Sequence, residues 1–173
     1  MAYLTEAMLK AAPQDRALEQ KFQESKASKE TAKTVFLSHS HLDKDLVLGL
    51  QRYLAKSGYK LYIDWQDDAM PRITNKETAI KIKDKIKNNE YFLMLATKNA
   101  LQSKWVPWEV GVADSLKPYD KLLVIPVATN GEDYPGREYL SVYKRLELKN
   151  GILVIFKPAF ETYDDGPLQR FFS

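Results

Sequence analysis

From Thr34 onward the sequence alternates short apolar runs with longer amphipathic stretches, and this alternation limits the fold more than any other feature. The short runs are rich in β-branched and aromatic residues, which favour strands, and the stretches between them repeat apolar residues at helical spacing. Strands that alternate with helices predict an α/β fold with a doubly wound parallel sheet. The predicted strands are Thr34–Ser38, Tyr59–Asp64, Tyr91–Ala96, Leu122–Val127 and Ile152–Phe156.

Three amphipathic segments predict helices that cover both faces of this sheet. They are Asp43–Lys56, a helix that starts at Thr74–Glu77, and Pro107–Leu116. The proline in the first turn of the third helix is harmless, because the N–H that it lacks would have no partner there. The strand Tyr91–Ala96 is apolar on both faces, which is typical of a parallel sheet between two helix layers. We therefore predict three layers around a five-stranded parallel sheet, with only a short helix around Arg137–Val142 before the last strand.

The first 33 residues differ in composition from the rest, being rich in Ala, Glu, Gln and Lys. We predict that residues 1–33 form a helical N-terminal arm and linker. This arm either packs on its own domain or serves as an oligomerisation or partner-binding arm. Residues 34–173 are predicted to form one domain, because a chain of 173 residues suits a single domain and 45% hydrophobic residues suffice for a core.

Composition excludes several classes of site. The chain has no cysteine, which rules out disulfides, thiolate metal sites and cysteine nucleophiles. The net charge of +3 is mixed along the chain, so no basic tail for nucleic acid is expected. The N-terminus does not have the pattern of a signal peptide and no apolar run is long enough to span a bilayer, so we expect a cytoplasmic protein without membrane contact. Glycine-rich phosphate loops and a serine nucleophile elbow are also absent from the sequence.

Ligands of parallel α/β sheets bind beyond the carboxyl ends of the strands, and this rule selects three segments. They are Ser38–Asp43, Asp64–Arg72 and Thr97–Glu109. In the third segment, Glu109 falls in the first turns of a predicted helix, where the helix dipole favours a charged carboxylate. Trp105 lies one helical turn earlier, and together they suit a sugar joined to a cationic aromatic ring. The alternative is that Glu109 serves only the helix dipole and cap.

Two histidines follow the first strand, in Ser38-His-Ser-His41. Their spacing suggests a metal pair, but no third ligand is evident in the sequence, so we expect no metal. The loop is better suited to offer polar groups and backbone N–H donors to a phosphate or ribose, or it is a plain helix-capping turn. Three acids in Asp64–Asp68 suit Mg²⁺ or a receiver domain, but a receiver needs an aspartate where Thr97 stands. We predict a mobile binding or assembly loop there.

Three motifs in order resemble the TIR (Toll/interleukin-1 receptor) domain family, especially its bacterial NAD-consuming members. The first is Val35-Phe-Leu-Ser-His-Ser-His-Leu-Asp-Lys-Asp45, and the second is Gly58-Tyr-Lys-Leu-Tyr-Ile-Asp64, where the family's BB loop begins. The third and most distinctive is Ser103-Lys-Trp-Val-Pro-Trp-Glu109. The resemblance spans about residues 34–156 and implies a flavodoxin-like fold.

The resemblance also implies roles for residues. Glu109 takes the position of the catalytic glutamate of TIR enzymes that cleave NAD⁺, and Trp105 that of the aromatic residue beside the substrate. Asp64 and Trp65 belong to the BB loop, which closes over the site or reaches a neighbouring chain. With the strand-end rule, the expected substrate-binding residues are Ser38, His39, Ser40, Asp64, Trp65, Thr97, Ser103 and Trp105.

The implied reaction breaks the nicotinamide–ribose bond of NAD⁺, a substrate rather than a cofactor, and gives nicotinamide with ADP-ribose or a cyclic isomer. The expected partners are other TIR domains through self-association, and a separate effector reached through a nucleotide messenger. Compact bacterial TIR proteins of this kind are similar to the signal-making subunits of antiphage systems such as Thoeris. Two alternatives stay open: a non-enzymatic TIR interaction module, and an enzyme of similar architecture that acts on nucleosides.

Overall fold

A mostly parallel β-sheet organises the protein in the computed structural model. The structure describes residues 2–12, 34–55, 60–70, 75–129, 134, 136, 138–150, 152–158 and 164–168. Within these residues the sheet has eight strands, and its main path runs β3-β2-β4-β5-β6-β7-β8. The strands are β1 Leu4–Thr5, β2 Thr34–Ser38, β3 Lys60–Tyr62, β4 Tyr91–Ala96, β5 Leu122–Ala128, β6 Lys144–Lys149, β7 Ile152–Phe156 and β8 Asp164–Pro167. Strands β2 to β6 run parallel, and β7 and β8 are antiparallel to their neighbours.

Helices cover both faces of the sheet. They are α1 Glu6–Lys10, α2 Lys44–Ala55, α3 Lys76–Asn88, α4 Lys98–Gln102 and α5 Val106–Leu116. Successive residues of a strand point to opposite faces, so Val35 and Leu37 of β2 join the core on the α1 and α2 side. Phe36, between them, joins the core on the α3 and α5 side. The predicted three-layer α/β class is confirmed.

The strand prediction needs one correction, at the C-terminal edge. The sequence predicted five parallel strands with Ile152–Phe156 as the fifth, but the fifth parallel strand is β6, and β7 is its antiparallel partner. Lys149 pairs with Ile152, so only the Asn-Gly dipeptide at 150–151 joins the two strands. Two residues can close a hairpin but not a parallel crossover, and Asn150 has the positive φ of 53° that such turns use.

The N-terminal residues pack against the same core. Leu4 of β1 pairs beside Val127 of β5, and both Leu4 and Leu9 are fully buried. The α1 helix lies so close to α2 that a Cβ added to Gly49 would stand 2.0 Å from the Leu9 carbonyl oxygen. Glycine at this position therefore permits the close approach. Residues 13–33 lie outside the described residues, and the predicted boundary at residues 33 and 34 stays a prediction.

None of the helices in the described ranges is long and apolar enough to cross a bilayer.

Candidate active site

Loops at the carboxyl ends of β2 and β3 meet the start of α5 around a cavity of about 430 Å³. The first loop contributes His39 and His41, and the second contributes Asp64 and Trp65 together with Asp67, Asp68 and Met70. The third wall carries Ser103, Trp105 and Glu109. The three segments selected from the sequence therefore converge on one cavity, at the sheet edge where the strand-end rule placed them.

Glu109 reaches the cavity from the first turn of α5 and is only 7% exposed. The turn before it is fixed by Ser103, whose Oγ accepts hydrogen bonds from the backbone N–H of Trp105 (3.2 Å) and Val106 (3.3 Å). These bonds satisfy donors that a helix start leaves without partners. Pro107 also suits the first turn, because it lacks the backbone N–H that would have no partner inside the helix there. The segment thus holds Glu109 on a rigid element rather than on a loop.

Among the residues that the structure describes, the carboxyl group of Glu109 has a polar partner but no cationic one. The Ser38 hydroxyl, at the buried end of β2, donates a hydrogen bond to Glu109 Oε2. The pKa of Glu109 is raised to about 8, mainly by burial; the Ser38 hydrogen bond offsets part of that rise, and the negative charge of Asp64 adds to it. The sequence predicted that the helix dipole would favour the charged form; burial outweighs it. No salt bridge to Glu109 forms within the described part of the chain.

His39 is held as a neutral imidazole by its two ring partners. Its Nδ1 lies 3.0 Å from the carbonyl oxygen of Leu37, to which it donates. Its Nε2 accepts a hydrogen bond of 3.0 Å from the indole Nε1–H of Trp65. Burial lowers the pKa of His39, although nearby Asp64 opposes that shift. The buried histidine therefore positions the Trp65 ring at the cavity wall.

Asp64 supplies the third potential metal ligand that the sequence spacing did not reveal. Its Oδ1 lies 3.5 Å from His39 Nε2 and also accepts the backbone N–H of Trp65 at 2.7 Å. The ligand atoms of His39, His41 and Asp64 all lie within 4.8 Å of one another. Asp64 is distant in sequence from the two histidines, and only the pairing of β2 with β3 brings them together.

The described part of the second loop is anchored to α3. Asp67 accepts hydrogen bonds from the Tyr62 hydroxyl and from Lys85 Nζ, both at 2.7 Å. The Lys85 bond, followed by the Tyr62 bond, lowers the pKa of Asp67 to about 2. Lys81 Nζ adds a bond of 2.9 Å to the Ala69 carbonyl oxygen. The sequence predicted that this loop is mobile. Residues 71–74 of the loop lie outside the described residues, so its mobility stays a prediction.

Two of the residues expected at the substrate use their hydroxyl groups elsewhere. Ser40 Oγ accepts a hydrogen bond of 3.3 Å from the backbone N–H of Leu42. For Ser40 this is the helix-capping role that the sequence left open as the alternative to ligand binding. Thr97 Oγ1 caps α4 through the N–H of Ala100 (3.0 Å) and donates to the buried carboxylate of Asp43. Neither residue lines the cavity.

The other expected residues surround the cavity, with Ser38 reaching it through its bond to Glu109. Trp105 packs edge-to-face on Trp108, with ring centroids 5.1 Å apart, which fixes an aromatic wall. Sequence reasoning missed the contribution of α3, whose Thr78 and Ile82 also line the cavity. The amphipathic pattern of that helix assigned Ile82 to the core. Nothing in the pattern showed that the part of this face around Ile82 also forms a wall of the cavity.

Comparison with known proteins supports the fold and the motifs. A family model described as TIR domain matches residues 35–157, well over half of the chain. The chain is 36% identical over 113 residues to a protein of Bacillus cereus (strain MSX-D12) named probable 3' cyclic ADP-D-ribose synthase ThsB', an alignment that covers 63% of this chain and 58% of the relative. It is 26% identical over 85 residues, 47% of this chain, to the putative cyclic ADP-D-ribose synthase TIR2 of Cytobacillus dafuensis, of which it covers 22%.

The aligned part of the chain thus spans little more than half of one relative and about a fifth of the other. The family match contains all three motifs and every residue expected at the cavity. On this match the chain belongs to the TIR domain family.

Proposed function

We propose that this protein cleaves the bond between nicotinamide and ribose in NAD⁺, with Glu109 as the catalytic residue. One observation carries the proposal: a buried carboxyl group, which forms no salt bridge within the described residues, lines a cavity of about 430 Å³ together with the indoles of Trp65 and Trp105. That volume lies in the usual range for small-molecule sites. The names of the two relatives, both cyclic ADP-D-ribose synthases, support NAD⁺ as the substrate class.

The charge of the substrate explains why a raised pKa is useful. The nicotinamide ring of NAD⁺ is a flat cation, which binds favourably on the face of an indole such as Trp105. A cation close to Glu109 lowers the pKa of its carboxyl group and drives the proton off. The resulting carboxylate then faces positive charge that develops on the ribose as the bond breaks. The carboxylate stabilises this positive charge most strongly in the transition state, as catalysis requires.

Bond cleavage leaves the electron pair on the nicotinamide nitrogen, which becomes neutral, and leaves an oxocarbenium-like ribose. Water capture of that cation gives ADP-ribose, whereas capture by a nucleophile of the same molecule gives a cyclic isomer. We propose the cyclic outcome, because both relatives are named for it. The reaction as proposed needs no separate cofactor and no metal.

The biological setting is also a proposal. A cyclic nucleotide product suits a diffusible signal to a separate effector, and the resemblance to Thoeris proteins favours antiphage defence in the cytoplasm. Self-association through TIR–TIR contacts, including the loop that follows β3, would assemble the active form.

The test is nicotinamide release from NAD⁺ by concentrated protein, with products separated by chromatography and identified by mass. Glu109→Gln keeps the shape of the side chain and removes its charge, so we expect a loss of about 100-fold or more. Glu138→Gln is the matched control, because Glu138 also begins a helical turn but is exposed. If the wild type and both variants release none even after forced clustering, the protein is an interaction module instead.

A further inference from the structure

Three potential metal ligands meet at the cavity beside Glu109, and the proposed bond cleavage uses none of them to hold an ion. We propose that His39, His41 and Asp64 form a binding site for a divalent transition-metal ion, with Zn²⁺ the best match. Two imidazoles and one carboxylate are ligands that this class of ion prefers. Three protein ligands leave the fourth tetrahedral position to water.

The distances require little rearrangement. Tetrahedral Zn²⁺ with bonds of roughly 2.0–2.1 Å separates its ligand atoms by about 3.3 Å. His39 Nε2 and Asp64 Oδ1 already lie 3.5 Å apart. The ligand atom of His41 lies within 4.8 Å of both, so it has to approach by no more than about 1.5 Å. His41 is exposed in the short turn His41–Asp43, where its side chain has room to move.

The orientation of His39 is the one that a ligand needs. Its Nδ1–H is bonded to the Leu37 carbonyl oxygen, so the lone pair lies on Nε2, which is 3.5 Å from Asp64 Oδ1. A carbonyl behind the ring fixes the tautomer in many metal sites.

Trp65 competes for the same lone pair. Its indole Nε1–H donates to His39 Nε2 at 3.0 Å, and this bond must break before an ion can bind there. Lys44 Nζ, 5.6 Å from the Trp65 ring centre, adds a positive charge near the site. Metal binding and the present position of the indole are therefore mutually exclusive, and a variant without the indole donor should bind the ion more tightly.

The sequence makes this proposal easy to test. The whole chain has two histidines and no cysteine, so any site with imidazole ligands must use His39 or His41. We would titrate the full chain with Zn²⁺ by calorimetry, and with Co²⁺ to read tetrahedral geometry from its visible absorption. The two histidine C2–H signals in the proton spectrum then report which rings bind.

We expect one ion per chain, with both histidine signals shifted. His41→Gln should weaken binding at least tenfold, and its exposed position leaves the fold intact. Trp65→Phe should tighten binding, because it removes the indole N–H that competes for His39 Nε2. Asp68→Asn is the matched control, because Asp68 lines the same cavity but is not one of the three ligands, and it should change affinity less than twofold.

Equal affinity in the wild type and His41→Gln would overturn the proposal, as would a loss in Asp68→Asn as large as that in His41→Gln. A second readout rests on the proposed function: an ion held there should block the cavity, so Zn²⁺ should inhibit nicotinamide release by the wild type but not by His41→Gln. If the wild type releases no nicotinamide even after forced clustering, the proposed function fails, while the titration still decides the metal site.

Discussion

Glu109 and Asp67 line the same cavity, yet the protein holds their carboxyl groups in opposite ways. Asp67 is bonded to Lys85 and to the Tyr62 hydroxyl, and its pKa falls to about 2. Glu109 is more deeply buried, has a serine hydroxyl as its one hydrogen-bond partner among the described residues, and its pKa rises to about 8. A carboxylate that neutralises a cation stabilises a loop, whereas one left without a cation is available to a cationic substrate.

The largest expected difference between the two acids is in catalysis. We expect Glu109→Gln to lower the rate of nicotinamide release by about 100-fold or more, since it removes the charge that faces the transition state. Asp67→Asn should lower it no more than about tenfold, through a looser second loop. Rates measured at saturating NAD⁺ compare the two variants directly. A greater loss in Asp67→Asn would mean that the two roles are assigned to the wrong residues.

The two acids should contribute to the free energy of unfolding with opposite pH dependence: the contribution of Glu109 falls as pH rises, and that of Asp67 falls as pH drops. The pKa of Glu109 is raised from 4.5 to about 8 in the folded state, so its contribution is fully present below pH 4.5 and is lost as pH rises through 8. The slope approaches about 1.4 kcal/mol per pH unit within that window. Denaturant titrations across it should show a shallower decline for Glu109→Gln than for the wild type. Parallel curves for the two proteins would contradict the raised pKa.

The hydrogen bond from Ser38 tests the role of Glu109 separately, because within the described part of the chain it is the one hydrogen bond that the Glu109 carboxylate accepts. Ser38→Ala should raise the pKa of Glu109 further, since that bond stabilises the charged form. We expect about a tenfold loss of NAD⁺ cleavage near neutral pH, from a single charge-assisted hydrogen bond. The measurement is the pH–rate profile, whose acidic limb should move to higher pH. Ser40→Ala, which removes a cap at Leu42, should leave the shape of the profile unchanged.

The smallest expected effect is the loss of stability on replacing Asp67, whose carboxylate holds its loop to Lys85. Its pKa is lowered from 3.8 to about 2, so the contribution is present above pH 3.8 and is lost as pH falls through 2. Lys85 is partly exposed and water screens the pair, so Asp67→Asn should cost about 1 kcal/mol at neutral pH. Thermal unfolding of this variant beside Asp68→Asn measures that cost. Equal stability of the two variants would show that the ion pair contributes nothing.

Local sequence was sufficient to predict the buried strands and the helix that carries Glu109. Strands β2 and β4 are continuous apolar runs, and the proline in the first turn of α5 marks its start. Strand β6 was missed because four of its six residues are charged. Two of these, Arg145 and Glu147, bond to each other, and Glu147 is buried. A strand in which charged residues outnumber apolar ones carries a weak apolar signal even when it lies inside the sheet, as β6 does between β5 and β7. The Asn-Gly dipeptide after it is nevertheless a hairpin signal.

The candidate site was predictable in its position but not in its internal bonds. The strand-end rule placed Trp105 and Glu109 at the cavity. It could not show that Thr97 bonds to Asp43, or that Asp64 lies beside His39, because these partners are distant in sequence and only the folded sheet joins them. Hydroxyl and carboxylate groups at strand ends have several partners within reach, and their choice depends on the tertiary structure.

The close fit of Leu9 against Gly49 bears on how this protein should be handled. A shortened version that begins at Thr34 would match the boundary expected from sequence, yet it would lack Leu4 and Leu9, both fully buried. Their removal would open an apolar face along α2 and beside β5 to water. Such a version would tend to aggregate, and because Leu37 of the cavity lining belongs to the same core as Leu4 and Leu9, inactivity in it would not test the role of Glu109. Enzymatic tests therefore belong on protein that keeps its first twelve residues.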